Sequence, residues 1–195
     1  MRERGKIEAV CRRLERVHGP AEPPPPGPVL DELVLTILSQ HTSDANSGAA
    51  FDQLQRRFPD WDAVRQAPVT RIAQAIRGAG LSRQKAPRIK TILQRIHANR
   101  GRLGLDFLRR RPTDQALAYL RAMPGVGPKT AACVLLFACR KPVLPVDTHV
   151  HRVSGRLRLI GARTDAAAAH EELAAVVPPE RVLDFHILLI RHGRT

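Results

Sequence analysis

A short run of glycine and proline between two helical patterns constrains this chain more than any other feature. The run is Pro124-Gly125-Val126-Gly127-Pro128. Proline is favoured at the first position of a helix, and glycine reaches positive φ angles that other residues avoid. The run therefore predicts a tight turn between two helices, with the second helix beginning at Pro128. Both glycines are expected at positive φ, and Val126 is expected to pack between the two helices.

The rest of the chain has the periodicity of short helices. Apolar residues recur at spacings of three and four, and no sustained alternation of apolar and polar residues indicates a strand. We predict an all-α fold of two lobes. One lobe covers residues 31–141 and contains the hairpin at 123–128, and the other combines residues 1–22 with 142–195. Residues 23–28 are rich in proline and are predicted to form a stiff extended connector.

Residue types at the ends of these patterns give approximate helix bounds. Asp44 and Thr113 are interpreted as N-terminal caps, because short polar side chains accept hydrogen bonds from the unpaired amides of the first turn. The predicted helices cover residues 6–18, 30–38, 45–57, a short segment after Asp60, 69–77, 82–99, 114–122, 128–139, 148–159, 165–177 and 180–191.

The chain is strongly basic. Lysine and arginine number 32 against 18 aspartates and glutamates, which gives a net charge of +14. Such an excess favours a polyanionic partner such as a nucleic acid, although an arginine-rich coding bias, a ribosomal partner or a membrane surface would fit the same composition. A run of about 18 apolar residues is missing, so no transmembrane helix is expected. The three cysteines show no metal-ligand spacing and are interpreted as reduced thiols.

The predicted hairpin has the features of a phosphate-binding site. The backbone amides that follow Gly125 and Gly127 lie at the beginning of a helix, where unpaired N–H groups and the helix dipole attract anions. A contact of this kind would hold DNA by its backbone without reading the bases. A plain helix–helix turn would have the same local sequence, so the hairpin alone leaves both interpretations open.

The longer pattern resembles a known family. The chain reads Leu120-x-x-Met123-Pro124-Gly125-Val126-Gly127-x-Lys129-Thr130-Ala131 and then Val146-Asp147-Thr148-His149-Val150-x-Arg152-Val153. This combination is similar to the helix-hairpin-helix-Gly-Pro-Asp (HhH-GPD) superfamily of DNA repair glycosylases, and within it to endonuclease III-like enzymes. The resemblance covers nearly the whole chain after the proline run. It includes Ile37-Leu38-Ser39-Gln40, Gly78-x-Gly80-Leu81-x-x-x-Lys85-Ala86 and Leu189-Ile190-x-His192-Gly193-Arg194.

The resemblance implies an active site with two residues. Lys129 stands in the first turn of its helix, where the helix dipole disfavours an ammonium while a nearby aspartate would favour it, so the sequence does not give the sign of the net effect. Nucleophilic attack requires the neutral amine. In the family, the lysine at this position attacks the sugar C1′ and expels the damaged base, and the resulting imine permits β-elimination. The aspartate at the position of Asp147 activates the lysine and stabilises positive charge on the sugar. Without the resemblance, Lys129 would be interpreted as a phosphate contact and Asp147 as a helix cap.

Four further residues are implied in holding the distorted DNA, because a glycosylase must extrude its base from the duplex. Leu81 corresponds to the family's wedge leucine, with a core leucine as the alternative. Gln40 or His41 corresponds to the residue that fills the gap, and we favour His41 for the gap and Gln40 for the pocket. His149 is expected either at the pocket or packed against a helix. The nearby basic residues, interpreted as phosphate contacts or as a solvated face, are Arg83, Lys85, Arg88 and Lys90.

The resemblance therefore predicts a bifunctional DNA glycosylase and abasic-site lyase that removes oxidised bases, pyrimidines above all, from damaged double-stranded DNA. The alternatives are a related glycosylase for another lesion or mismatch, and a non-catalytic helix-hairpin-helix module that only binds DNA. A monomer at the nucleoid in the cytoplasm, without a membrane partner, is the expectation for the family.

The resemblance also raises the question of a cofactor. In endonuclease III the ending His-Gly-Arg precedes four cysteines that bind a [4Fe–4S] cluster, whereas this chain stops at Thr195. We therefore expect no cofactor in this chain, whether the protein lacks the cluster naturally or the sequence is shortened.

Overall fold

The computed structural model describes residues 2–195, so Met1 of the predicted lobe 1–22 lies outside the described residues. Within residues 2–195 the regular structure is helical and contains no β-strand. The predicted all-α class is confirmed. The eleven α-helices of this range are α1 (Arg2–His18), α2 (Val29–Ser39), α3 (Asp44–Arg57), α4 (Trp61–Gln66), α5 (Val69–Ala75), α6 (Ser82–Arg100), α7 (Thr113–Arg121), α8 (Pro128–Phe137), α9 (Thr148–Arg156), α10 (Ala166–Val176) and α11 (Val182–Arg194). Short 3-10 turns cover Arg77–Ala79, Asp106–Arg109 and Pro179–Arg181.

The chain forms two compact units. Gly27–Val134 makes up the first, called here the hairpin unit, and the residues up to Pro26 together with Leu135–Thr195 make up the second, called the terminal unit. The boundary between them falls within α8. Residues 19–28, which hold the proline run, form no helix. Of the helices in residues 2–195, none is long and apolar enough to cross a membrane.

The hairpin unit is organised around α6, its longest helix. Ala86, Ile89, Leu93 and Ile96 are buried, and their spacing of three and four residues places them on one side of the helix. This side of α6 packs against α2, α4 and α5. The core thereby fixes the C-terminal end of α2 and the beginning of α6, and the residues of the candidate site lie at those ends.

The terminal unit has a core of its own, in which α1 and α9 pack against α11. Ile7, Cys11, Val150, Phe185 and Leu188 are fully buried there. Burial of a large apolar side chain contributes about 1.5–3 kcal/mol, so helices from the two ends of the chain hold each other in place. This core supports the beginning of α9, which Asp147 caps.

Two predicted helix caps are wrong by one residue. α3 is capped by Ser43, whose hydroxyl accepts a hydrogen bond from the Asn46 amide at 3.2 Å, and Asp44 is the first residue of the helix. Thr113 is likewise the first residue of α7, and Pro112 occupies the cap position without a side-chain hydrogen bond. Adjacent residues that both suit a helix beginning produce this ambiguity.

Other helix bounds differ by a few residues. α5 ends at Ala75 because the backbone tightens into the 3-10 turn before Gly80. α8 and α9 end two and three residues before their predicted bounds, and α10 begins one residue later, after its cap Asp165. α11 begins at Val182 and continues to Arg194. The 3-10 turn Asp106–Arg109 lies in a stretch where the sequence predicted no element.

Candidate active site

The glycine run forms the predicted turn between α7 and α8. Val126 is buried, and its amide donates to the Met123 carbonyl at 3.2 Å, which closes the turn. The Gly127 carbonyl accepts from the Ala131 amide at 3.0 Å, so the helical hydrogen bonds of α8 begin at Gly127. Pro128 occupies the first helical position as predicted. The turn therefore ends in a helix N-terminus, the backbone geometry that favours an anion.

Gly125 is required in this turn for two independent reasons. Its φ is 73°, in the left-handed region that favours glycine. A Cβ atom added there would also lie 2.6 Å from Cδ of Arg88 and would collide with its guanidinium. The side chain of Arg88 thus lies directly against the backbone of the turn.

Gly127 does not adopt the positive φ that the sequence analysis predicted. Among the described glycines, those at positive φ are Gly19, Gly80, Gly101 and Gly125. A Cβ atom at Gly127 would meet no protein atom within 4 Å. The fold itself therefore does not demand glycine at this position, and the space in front of it is open.

A chain of hydrogen bonds joins the turn to the end of α2. Nη1 of Arg88 donates to Oε1 of Gln40 at 2.9 Å, and Nε2 of Gln40 donates to the hydroxyl of Thr130 at 3.2 Å. Thr130 is buried, and it follows Lys129 directly. Gln40 was predicted as a pocket residue, whereas Thr130 had no predicted role and Arg88 was interpreted as a phosphate contact or as part of a solvated face. Nothing in the local pattern identifies this network, because Gln40 is 48 residues from Arg88 and 90 residues from Thr130 in sequence.

Lys129 is the second residue of α8 and is half-buried. Its neighbours in the chain are fixed on both sides, by the turn through Val126 and by the hydrogen bond of Thr130. An amine at this point stands on a rigid segment at the positive end of a helix dipole. A lysine here can bind a negatively charged ligand as an ammonium, or attack an electrophilic ligand as a neutral amine.

His41 and Leu81 both lie exposed in turns with unusual backbone angles. The φ angles are 55° for His41 and 48° for Leu81, in the left-handed region that non-glycine residues rarely occupy. Leu81 exposes 47% of its surface, which excludes the alternative that it is a core leucine. Each left-handed residue costs about 1–2 kcal/mol, and strain of this kind often marks a functional turn.

Asp147 and His149 belong to the terminal unit. Oδ1 of Asp147 accepts from the Val150 amide at 2.7 Å, so the aspartate caps α9 and uses one carboxylate oxygen to do so. Nδ1 of His149 lies 2.8 Å from the carbonyl of Gly193, and Arg152 donates to the same carbonyl. The histidine is thereby packed against α11, the second of the two predicted placements.

The expected row of phosphate contacts on α6 is wrong for Lys85. That side chain is buried, with 2% of its surface exposed, and its Nζ donates to backbone carbonyls. Lys90 is half-buried and donates to the Ala67 carbonyl. The apolar spacing of α6 contained the signal, because Lys85 stands four residues before buried Ile89 and so shares its face. Arg83 is exposed.

Comparison with known proteins identifies the family. The model of the HhH-GPD superfamily base excision DNA repair protein matches residues 34–179. The chain belongs to the HhH-GPD superfamily. The predicted resemblance to endonuclease III-like enzymes is confirmed, since the chain is 33% identical over 185 residues to endonuclease III of Thermotoga maritima, a match that covers 95% of this chain and 79% of that protein.

Two further comparisons agree with this assignment. A protein of Arabidopsis thaliana that carries the name DNA glycosylase is 40% identical to this chain over 166 residues. The match covers 85% of this chain and 57% of the relative. The chain thus spans little more than half of that relative's length. The structure of a non-covalent endonuclease III–DNA complex matches with a TM-score of 0.82 at 26% identity, over 98% of this chain and 86% of that chain. The HhH-GPD fold is therefore present throughout.

A [4Fe–4S] cluster does not fit the residues of this chain. Such clusters are held by four cysteine thiolates, and the chain has three cysteines. Cys11 and Cys133 are buried. Among the side chains that the structure describes, no group of three or more histidines, cysteines, aspartates or glutamates is arranged to hold a metal ion. No step of the chemistry proposed below runs through a cluster.

Alanine substitutions at the two glycines of the turn should affect different properties of the protein. Gly125→Ala should lower the melting temperature, because it combines about 1–2 kcal/mol of left-handed strain with displacement of Arg88. Gly127→Ala should leave the melting temperature unchanged but weaken binding to any duplex DNA, because its methyl group occupies the open space before the turn. Thermal unfolding and fluorescence anisotropy with a labelled duplex measure both effects.

Gly104→Ala is the matched control, since Gly104 also has open space around it and lies outside the turn. It should change neither quantity. Unaltered DNA binding by Gly127→Ala would show that DNA does not approach the turn at this point.

Proposed function

We propose that the protein is a bifunctional DNA glycosylase and abasic-site lyase that removes oxidised bases, pyrimidines above all, from damaged double-stranded DNA. The observation that carries the proposal is the position of Lys129. A lysine placed one residue into α8, directly after a turn suited to a phosphate, brings an amine to a DNA strand held by that turn. A module that only binds DNA could use the amine as a phosphate contact, but it would not need the carboxylate of Asp147 as well.

The proposed reaction begins with attack of Nζ of Lys129 on C1′ of the damaged nucleotide. A bond forms between Nζ and C1′, the bond from C1′ to the base breaks, and the base leaves with a proton. Opening of the sugar ring gives an imine between Lys129 and C1′. Loss of a proton from C2′ then expels the 3′ phosphate by β-elimination, and water releases the enzyme from the cleaved strand.

Among the five lysines of the chain, Lys129 best meets the requirements for this role. Lys85 is the other lysine with an unusual environment, because burial lowers the pKa of its ammonium and nearby Arg88 lowers it further. A lowered pKa would also favour a nucleophile. Lys85 is excluded nevertheless, since its side chain is buried and its Nζ is occupied by two carbonyls.

Asp147 is proposed as the carboxylate of the reaction. The cap on α9 fixes Oδ1 and leaves Oδ2 as the oxygen that would face the substrate. As a carboxylate it can accept a proton from the attacking amine and stabilise positive charge on the sugar. The pairing of Asp147 with Lys129 is part of the proposal.

The remaining predicted site residues receive roles that their environments support. Gln40 is held by Arg88 and Thr130, which suits a pocket residue and not one that enters the duplex. His41 and Leu81 are exposed in strained turns, which suits side chains that fill the gap left by an extruded base. His149 would contribute to the pocket only by the ring edge opposite Nδ1.

The electrostatics of the chain support a DNA partner. A net charge of +14 attracts a polyanion from a distance and makes binding weaken steeply with salt, because condensed counterions are released from DNA. The protein is proposed to act as a monomer, as its family resemblance implies.

The lysine nucleophile predicts a covalent complex that reduction can trap. Wild-type protein mixed with abasic-site duplex and borohydride should give a stable protein–DNA adduct, since hydride converts the imine to an amine. Lys129→Gln should give none while binding the duplex with little change. Denaturing gel electrophoresis detects the adduct, and mass spectrometry of its peptides identifies the lysine.

Lys6→Gln is the control, because Lys6 donates to the Arg158 carbonyl in the terminal unit and has no assigned role. It should trap as well as wild type. Tight binding of abasic duplex by the wild type without any adduct would contradict the lyase and would favour a module that only binds DNA.

The two functions of Asp147 can be separated by substitution. Asp147→Asn should keep the cap, because an amide oxygen also accepts from the Val150 amide, whereas Asp147→Ala should lose about 1 kcal/mol of stability. Both should lower the rate of base excision, by about 100-fold or more if the carboxylate acts as a proton acceptor. Single-turnover excision and thermal unfolding measure the two effects.

The matched control is Asp165, which caps α10 in the same unit by accepting from two amides. Asp165→Asn and Asp165→Ala should reproduce the stability changes and leave excision intact. Full activity of Asp147→Asn would mean that the aspartate is a cap and nothing more.

The preferred base is tested by a panel of lesions. Duplexes that carry an oxidised pyrimidine, an oxidised purine, an alkylated purine or a thymine opposite guanine would be compared by kcat/KM. We expect the oxidised pyrimidine to be preferred by about tenfold or more, a ratio that differences in pocket contacts can supply. Preference for a purine or a mismatch would assign the protein to another branch of the superfamily while leaving the lysine chemistry in place.

A further inference from the structure

Lys85 is the largest of the fully buried side chains in the hairpin unit, and only 2% of its surface is exposed. It shares the buried face of α6 with Ile89 and Ile92. Burying an ammonium is costly unless its hydrogen bonds are satisfied, and desolvation accordingly lowers the pKa of this group. A methionine would fill the same volume without that cost. The lysine therefore calls for an explanation beyond packing.

The ammonium joins the ends of two separate helical segments. Nζ donates to the Leu38 carbonyl at 2.7 Å and to the Ala79 carbonyl at 2.8 Å. Leu38 lies in the last turn of α2, and Ala79 is the last residue of a 3-10 turn. Carbonyls at such ends lack a partner within their own helix. One nitrogen satisfies both, so the two chain segments are held together at this point.

Each of these carbonyls stands immediately before a strained turn. His41, with φ of 55°, follows Leu38 by three residues, and Leu81, with φ of 48°, follows Ala79 by two. The backbone amide of Lys85 also donates to the Leu81 carbonyl at 2.9 Å. Lys85 is thus hydrogen-bonded to the second turn by its main chain. Its side chain is hydrogen-bonded to the residues that precede both turns.

We propose that Lys85 is a positioning residue that holds the turns of His41 and Leu81 in one fixed arrangement, so that both side chains enter the duplex together when a base is extruded. The inference rests on the proposed function and adds a residue to it. Two turns that moved independently would each lose conformational freedom on binding DNA, whereas turns fixed in advance lose less. Lys85 itself does not touch the DNA.

Lys85→Met tests the inference, with Lys90→Met as the matched control. Lys90 lies on the same helix and donates to the Ala67 carbonyl, which precedes neither turn. Binding would be measured to an undamaged duplex and to a duplex with a tetrahydrofuran abasic analogue, with 2-aminopurine opposite the analogue to report the gap. Lys85→Met should bind the undamaged duplex normally, lose about tenfold in preference for the analogue and lose the fluorescence change. Lys90→Met should keep both the preference for the analogue and the fluorescence change.

A double-mutant cycle distinguishes positioning from a general loss of stability. In a His41→Ala/Leu81→Ala background, the side chains that Lys85 is proposed to position are gone. Lys85→Met should then cause little further loss of preference for the analogue, because its effect passes through those side chains. An equal loss in both backgrounds would overturn the inference.

Hydrogen exchange on the unmodified protein covers the case in which Lys85→Met does not fold. Amides of residues 39–43 and 79–83 should open together with a shared exchange rate, since one ammonium holds both turns. Independent opening of the two turns would overturn the inference. A wild-type protein with no preference for the analogue and no borohydride adduct would instead refute the proposed function, and the exchange result would still decide whether Lys85 joins the turns.

Discussion

The candidate site depends above all on the close approach of Arg88 to the backbone of Gly125. The guanidinium fits only because residue 125 has no side chain, and from this position it donates to Gln40. Gln40 in turn donates to Thr130, the residue after Lys129. Arg88 supplies one of the two hydrogen bonds that hold Gln40, so its displacement would loosen the contact of Gln40 with the beginning of α8. The segment that carries the proposed nucleophile is therefore supported on one side by a network that begins at a glycine.

The basic composition favours a polyanionic partner, but it does not show which charges would contact one. Several arginines donate to backbone carbonyls or form ion pairs within the chain. Arg181, for example, lies within 3.5 Å of Glu8 and closer to Glu15 and Asp184, and Arg95 donates to the Ala122 carbonyl. Net charge counts these groups together with those that face a ligand. Net charge predicts the sign of the partner's charge and does not locate the interface.

Local sequence was sufficient for the helices, for the turn at Gly125 and for the cap at Asp147, because each is determined by residues within one or two turns of the chain. It failed at Gly127, since a second glycine in a turn does not imply a second positive φ. It also failed at Lys85, where a charged residue was assumed to face solvent although its helical spacing placed it in the core. Local sequence could not predict the contacts of Gln40 with Arg88 and Thr130, because only tertiary packing brings those residues together.

The destabilising features of the hairpin unit lie close together, at the turns of His41 and Leu81. Two residues, His41 and Leu81, adopt left-handed angles, and the ammonium of Lys85 is buried close to them. Each of these three features lowers the stability of the free protein. The surrounding core of α2 and α6 must compensate, and it does so with apolar faces that are almost completely buried. Here the buried ammonium of Lys85 binds the carbonyls that lead into both strained turns, so the three costs form one structural device, as expected for turns that are fixed before a ligand arrives.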